Sequence, residues 1–296
     1  MIKAGDKIGI ICCSNGQKKT YMTKLKDLED ALLKMGICVY FSECIYECEN
    51  VQGEAEKERA QALMKLYTDD EIKGIFDISG GDIANGILPY LDYGIIADSS
   101  KLFWGYSDLT TVINAIYSKT GKESVLYQIR NLIYENREEQ TADFQNTVME
   151  GGKDLFQINC HFIQQKEMRG IVVGGNIRCF LKLAGTEYMP HLEGKILLLE
   201  SFRGVVPQIE TYLFQLKQLG AFEKAAGILL GTFTQMQEAQ CMPSVETLVR
   251  RIAGKDIPIA VTKDIGHGTD AKAIIIGREL YFGDRCGNKR FLPEGI

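Results

Sequence analysis

The stretch Leu102-Phe-Trp-Gly-Tyr-Ser-Asp-Leu-Thr-Thr111 sets a short apolar run against a break at Gly105 and a fresh apolar-periodic segment from Thr110. It reads as a strand, a tight turn and a helix start, with Ser107 at the apex. A hydroxyl held there stands beside the first free N–H groups of the following helix, a position that suits a nucleophile and a helix cap alike. The spacing is Gly-x-Ser-x-Leu and not the hydrolase elbow Gly-x-Ser-x-Gly, so taken alone Ser107 reads as a cap or turn serine.

The same strand–turn–helix unit recurs on the N-terminal side. Strand runs at 7–13, 37–41 and 74–78 alternate with helical periodicity at 20–35, 54–67 and 83–91, and a further helix follows from Thr110 to about Lys119. This alternation predicts an α/β fold, with a Rossmann-like, flavodoxin-like parallel sheet over residues 1–130. In such sheets ligands gather at the carboxyl ends of the strands, where Ser107 and the turn Ser79-Gly-Gly-Asp82 both fall. Residues 131–166 are polar and weakly periodic and read as a connection. From 167 to 296 strand runs at 170–175, 194–200, 226–231, 257–261, 273–276 and 279–282 alternate with helices near 176–183, 207–219 and 244–253, which predicts a smaller, β-rich second α/β domain.

Composition narrows the function classes. The 296 residues carry a formal net charge of −5 with Lys and Arg scattered among Asp and Glu, which disfavours a nucleic-acid or anionic-membrane partner. The chain opens directly into a strand pattern, and no apolar run approaches the roughly 18 residues of a membrane span, so a soluble cytoplasmic protein without a signal peptide is expected. Nine cysteines include no C-x-x-C pair, which points to reduced thiols. Cys44 and Cys48, even with His161 or His191 added from afar, lack metal-ligand spacing, and no metal is expected. The first strand exits into Cys12-Cys-Ser-Asn-Gly16 without G-x-G-x-x-G, so no dinucleotide cofactor is expected either.

Three further features could carry chemistry. Glu200 ends the apolar run Gly194-Lys-Ile-Leu-Leu-Leu-Glu200, either as a strand end that faces solvent or as a site carboxylate. His267 lies in Asp264-Ile-Gly-His-Gly-Thr-Asp270, where flanking glycines let the backbone turn sharply. Of three histidines it is the best placed for imidazole chemistry. Gly80-Gly81 could aim backbone N–H groups at an oxyanion, or simply make a turn.

The order Gly-Tyr-Ser107-Asp, Leu-Leu-Leu-Glu200 and Gly-His267-Gly resembles the serine peptidase family of LD-carboxypeptidases, which includes the microcin C immunity-type enzymes. The resemblance extends through Gly80-Gly81, Leu88-Pro-Tyr-Leu-Asp-Tyr93, Lys101, Gly174-Gly-Asn176, Gly185-Thr186 and Gly227-Ile-Leu-Leu-Gly231. It implies a Ser-Glu-His triad with Ser107 as nucleophile, His267 as general base and Glu200 as the group that orients the imidazole. The backbone N–H groups of Gly81 and Asp108 would form the oxyanion hole, where each donor contributes about 3 kcal/mol. Gly80, Asp82 and Arg130 are the expected substrate contacts, with Arg178 and Arg203 as further candidate cations.

The implied reaction is hydrolysis of an L,D-peptide bond with release of a terminal D-amino acid from murein tetrapeptides, by a homodimer that needs no cofactor. Two alternatives stay open: hydrolysis of peptidyl- or aminoacyl-adenylates, and non-catalytic binding of a peptide or nucleotide on the same scaffold. Family members often carry Arg before the glycine pair and Tyr after it, where this chain has Ser79 and Asp82, and a Gly-Pro turn where it has Tyr127-Gln-Ile-Arg130. These departures concern substrate choice more than the triad.

Overall fold

A computed structural model of the chain describes residues 1–47 and 55–283. Among the described residues, twelve strands form two six-stranded sheets. The first contains β1 (Lys7–Ile11), β2 (Cys38–Phe41), β3 (Ile72–Asp77), β4 (Phe103–Gly105) and β5 (Ser124–Leu126), all parallel in the order 2-1-3-4-5. That is the flavodoxin-like order, with its switch point between β1 and β3. The second contains β6 (Cys160–Gln164), β7 (Glu167–Asn176), β8 (Lys195–Ser201), β9 (Gly227–Phe233) and β10 (Ile259–Thr262), of which β7 to β10 are parallel and β6 pairs antiparallel with β10. The chain then returns: β11 (Ile274–Ile276) adds antiparallel to β5 of the first sheet, and β12 (Glu279–Gly283) adds antiparallel to β7 of the second.

The helices are α1 (Met22–Lys34), α2 (Ala55–Thr68), α3 (Tyr93–Asp98), α4 (Thr110–Thr120), α5 (Arg137–Phe144), α6 (Ile177–Leu181), α7 (Val206–Gln218), α8 (Ala221–Lys224), α9 (Thr234–Glu238) and α10 (Val245–Ala253). The 83–91 segment is a 3-10 helix, Ala84–Tyr90, because Pro89 cannot supply an α-helical N–H. Glu54, expected at the start of α2, lies outside the described residues, as do Cys48 and Cys286.

Alternate residues of the apolar strands enter different cores, as a period of two requires. Ile8 and Ile10 pack with Leu28 and Leu32 of α1, whereas Ile11 and Ile75 pack with Leu63 and Leu66 of α2. In the second sheet Leu197 and Leu199 meet α7 and α10, while Val172, Ile196 and Leu198 join the same core as Val112, Ile113 and Ile116 of α4. Helix α4 is therefore shared by both sheets. Each such side chain contributes about 1.5–3 kcal/mol on burial. The end of α2 is closed by Lys101, whose Nζ donates to the carbonyls of Leu66, Tyr67 and Asp69 at 2.9, 2.7 and 2.6 Å. Burial draws that ammonium's pKa below its ordinary value.

The polar 131–166 segment carries more structure than a connection. Leu132, Phe144, Val148, Leu155 and Phe156 pack against Trp104 on the outer face of the first sheet, and β6 becomes an edge of the second. Its polar residues are also used internally: Tyr127 donates to Gln140 Oε1 at 2.8 Å, and Leu155 N–H to Thr147 Oγ1 at 2.9 Å.

Candidate active site

The carboxyl ends of β1 and β3 are tied together by a buried carboxylate. Asp77 accepts from Cys13 N–H (2.6 Å), Ser79 N–H (2.7 Å) and Ser79 Oγ (2.6 Å), and Ser14 N–H donates to Ser79 Oγ at 3.0 Å. Burial raises the Asp77 pKa against the opposing pull of these donors. The glycine turn that follows needs Gly81. Gly81 has φ of 128°, and a Cβ there would stand 1.9 Å from Asn15 Oδ1, the atom that accepts from Asp82 N–H at 3.0 Å.

Ser107 follows β4 with φ of 53°, one of three non-glycine residues with positive φ among the described residues. The cap reading is overturned: Tyr106 occupies the N-cap position of the 3-10 turn Ser107–Leu109, and no side chain caps it. A left-handed serine costs about 1–2 kcal/mol, a strain found where a side chain must be presented and not packed. A Cβ placed on Gly80 would lie 4.0 Å from Ser107 Oγ, so the glycine turn faces the hydroxyl closely.

Glu200 is not a solvent-facing strand end. It is 2% exposed at the end of β8, in register with Asn176 of β7. Its Oε2 lies 2.7 Å from Nδ1 of His267, which enters on the loop after β10. Gly231 makes this meeting possible, since a Cβ there would press on the Ile265 carbonyl at 2.5 Å and on Glu200 Cβ at 3.0 Å. The imidazole is held between Phe202, stacked at 5.0 Å, and Tyr106 at 5.2 Å. Its Nε2 is buried and has no hydrogen-bond partner among the described residues. With Nδ1–H donated to Glu200, Nε2 carries the free lone pair of a base.

Gly80, Gly81, Asp82, Tyr106, Ser107, Asn176, Arg178, Arg203 and His267 line one cleft of about 490 Å³, together with Ser201, Phe202, Gln208 and Tyr212. Ser107 and His267 thus face the same space without a hydrogen bond between them. A nucleophile–base bond commonly tightens only when substrate binds.

The amino-terminal domain description of the LD-carboxypeptidase family matches residues 8–127, and the carboxy-terminal domain description matches residues 169–281. The chain belongs to the LD-carboxypeptidase family. The microcin C7 self-immunity protein MccF of Escherichia coli is 26% identical over 317 residues, covering 94% of this chain and 91% of that protein. A Bacillus subtilis protein named a probable murein peptide carboxypeptidase is 27% identical over 291 residues, covering 93% and 88%. The crystal structure of an MccF-like protein from Bacillus anthracis aligns with a TM-score of 0.82 at 26% identity, covering 98% of this chain and 96% of that one. As a member of the LD-carboxypeptidase family the chain is a hydrolase. No helix among the described residues is long and apolar enough to cross a membrane.

The remaining candidates divide. Arg130 is not among the residues that line the cleft; its guanidinium donates to Tyr106 Oη at 3.1 Å and Gln17 Oε1 at 3.4 Å, so it braces the residue beside Ser107. Arg178 donates to the Gly81 carbonyl at 2.9 Å and pairs with the Asp82 carboxylate. Arg203 stands at the cleft, exposed, over the Phe202 ring at 5.9 Å. His161 and His191 are exposed and away from the cleft. Asp108 is fully buried, and its carboxylate accepts from Ser14 Oγ (2.7 Å), Ala84 N–H (2.9 Å) and Lys182 Nζ. Tyr106 and Asn176 enter the sequence reading only as parts of motifs, without a site role, and Phe202 and Lys182 do not enter it. The Arg178–Lys182 spacing of four was the one available signal, since it puts both cations on one helix face.

Proposed function

We propose that the chain is a serine hydrolase of L,D-peptide bonds that releases a terminal D-amino acid from murein-type tetrapeptides. The observation that carries this reading is the 2.7 Å Glu200–His267 contact, which leaves Nε2 unpartnered in the cleft that Ser107 lines. Ser107 Oγ attacks the carbonyl carbon while His267 Nε2 takes the hydroxyl proton. The tetrahedral oxyanion is received by the N–H groups of Gly81 and Asp108. The C–N bond then breaks as His267 returns the proton to the leaving amine, and the D-amino acid departs. Water attacks the acyl ester, gives its proton to His267, and Ser107 recovers it as the shortened peptide leaves. Arg203, exposed at the cleft without a carboxylate partner among the described residues, is the cation for the substrate's terminal carboxylate.

A second reading is favoured by the flat apolar rim. Phe202 is 45% exposed beside Tyr212 and Arg203, a surface that suits the planar base and anion of an aminoacyl-adenylate. A solved structure of MccF in complex with aspartyl sulfamoyl adenosine is consistent with it.

Purified protein offered an L,D-linked tetrapeptide and an aminoacyl sulfamoyl adenosine in parallel separates the two. Release of D-alanine, lost in Ser107→Ala, is the expected result. Turnover of the adenosine conjugate alone moves the assignment to the second reading. Absence of both, together with no Ser107-dependent labelling by a fluorophosphonate, leaves a binding protein. The reading includes a homodimer acting in the cytoplasm on small peptides, and light scattering reports the oligomeric state.

A further inference from the structure

The residue that follows the nucleophile poses an electrostatic problem. Asp108 is fully buried, and its carboxylate sits one residue from the hydroxyl whose attack generates an oxyanion. An unneutralised carboxylate there would oppose that charge in a low-dielectric setting, where Coulomb terms are several-fold larger than in water. Of the groups bonded to it, Ser14 Oγ, Ala84 N–H and the buried Cys179 thiol are neutral. The charged donor is the ammonium of Lys182, which is itself largely buried.

Lys182 does more than pair. Its Nζ also donates to the Asp82 carbonyl at 2.8 Å, in the turn that contains Gly80 and Gly81. One helical turn earlier, Arg178 donates to the Gly81 carbonyl at 2.9 Å and pairs with the Asp82 carboxylate. Both cations come from α6 and its C-cap, in the second half of the chain, and α6 is anchored by the Asn176 side chain at its N-cap. Two segments of the first half, the nucleophile turn and the glycine turn, are therefore held together by one element of the second.

We infer that Lys182 is a positioning residue of the hydrolytic site: its ammonium cancels the buried Asp108 charge and ties it to the Asp82 carbonyl, which fixes the Gly80–Gly81 turn against Ser107. The inference rests on the reading of Ser107 as nucleophile and of the Gly81 and Asp108 N–H groups as oxyanion donors. Lys182 touches no reacting atom. Its removal acts on the transition state through charge and placement, so kcat suffers and KM does not.

The test compares Lys182→Met, Lys182→Arg, Asp108→Asn and the Asp108→Asn/Lys182→Met double variant. Two readouts are used: steady-state hydrolysis of the L,D-tetrapeptide, and amide hydrogen exchange of residues 81–84. Lys182→Met is expected to lose about 100-fold in kcat with KM within about threefold, the scale of one lost oxyanion donor. Lys182→Arg, which keeps charge and reach, recovers to within about tenfold of wild type. The double variant, relieved of the unpaired carboxylate, exceeds Lys182→Met by about tenfold. Exchange at 81–84 rises about tenfold in Lys182→Met, as loss of one tether predicts.

A Lys182→Met kcat within about threefold of wild type overturns the inference, as does an equal fall for Lys182→Arg. Where Lys182→Met does not fold, the double variant is compared with Asp108→Asn: a further drop supports the tether and equality overturns it. Should the wild type hydrolyse neither substrate and resist fluorophosphonate, the nucleophile reading fails. Lys182 is then judged on exchange alone, with faster exchange at 81–84 in support and unchanged exchange against.

Discussion

Asn114 and Gly174 exchange a reciprocal pair of hydrogen bonds, Nδ2 to the Gly174 carbonyl at 2.9 Å and Gly174 N–H to Oδ1 at 2.8 Å. Thr110 Oγ1 adds a third link by accepting from Asn176 N–H at 3.0 Å. The helix that follows Ser107 is thereby spliced onto β7, whose last residue is in register with Glu200. Loss of the Asn114 side chain leaves two buried backbone groups unpaired, at roughly 1–3 kcal/mol each. Asn114→Ala is therefore expected to destabilise the fold by about 2–6 kcal/mol in urea unfolding. It should also lower kcat, because the splice sets the distance between the serine turn and the His267 loop.

Ser107 pays a backbone strain that glycine would not. With φ of 53° and no hydrogen bond from its hydroxyl among the described residues, its side chain contributes little to the fold. Ser107→Gly is expected to raise stability by about 1 kcal/mol, the left-handed penalty less glycine's entropic cost. Ser107→Ala should leave stability within about 0.5 kcal/mol of wild type. On the proposed mechanism both variants are expected to abolish acylation. Calorimetry beside fluorophosphonate labelling reads the two effects, and a Ser107→Gly protein that melts lower would show the turn to be unstrained.

The alternation of strands and helices was legible because each buried strand is a short apolar run closed by glycine or a polar turn, from Lys7–Ile11 to Gly227–Phe233. The return of Ile274–Ile276 to the first sheet was not, since three isoleucines carry no record of pairing with Ser124–Leu126 about 150 residues earlier. Ser107, Glu200 and His267 stood out for a local reason: each interrupts an apolar or glycine-bounded pattern with a reactive side chain. Lys182 did not, because its partner Asp108 lies 74 positions away and a lysine at a helix end is ordinary. Arg130 drew attention as a cation near a strand end, yet whether a guanidinium turns to the cleft or to a neighbouring phenol is set only by tertiary packing. The 131–166 segment looked like a linker because buried Gln140 and Thr147 break its apolar period, and their partners, the Tyr127 hydroxyl just upstream and the Leu155 N–H within the segment, meet them only once it folds.

The cysteines give a prediction with a definite sign. Burial pushes the Cys12, Cys13 and Cys179 thiols well above the ordinary range. A raised thiol pKa means less thiolate at a given pH, and thiolate is the reactive form. At pH 8 iodoacetamide should leave these three unmodified in the native protein and alkylate the exposed Cys38. In urea all four should react. Peptide mass spectrometry reads the outcome directly, and native-state alkylation of Cys13 ahead of Cys38 would contradict the packing around Asp77.

Glu200 offers the sharpest test of the site. In the proposed mechanism its carboxylate, 2.7 Å from Nδ1, fixes the His267 tautomer with Nε2 free and stabilises the imidazolium that forms as Ser107 gives up its proton. Glu200→Gln keeps the shape but replaces the charge and brings an amide N–H that can donate to Nδ1, which would hold the ring with the wrong nitrogen protonated. The expected result is a loss of about 10³–10⁴-fold in kcat. Thermal stability should change by less than about 1 kcal/mol, since a neutral side chain of the same volume fills the same buried site. The two effects need separate measurement, because a Glu200→Gln protein that unfolds would lose activity for the wrong reason. Nitrogen-15 spectra of the imidazole then decide between them: a shift of the proton from Nδ1 to Nε2 in a folded variant accounts for the loss by tautomer, whereas an unchanged tautomer with full activity would remove Glu200 from the mechanism.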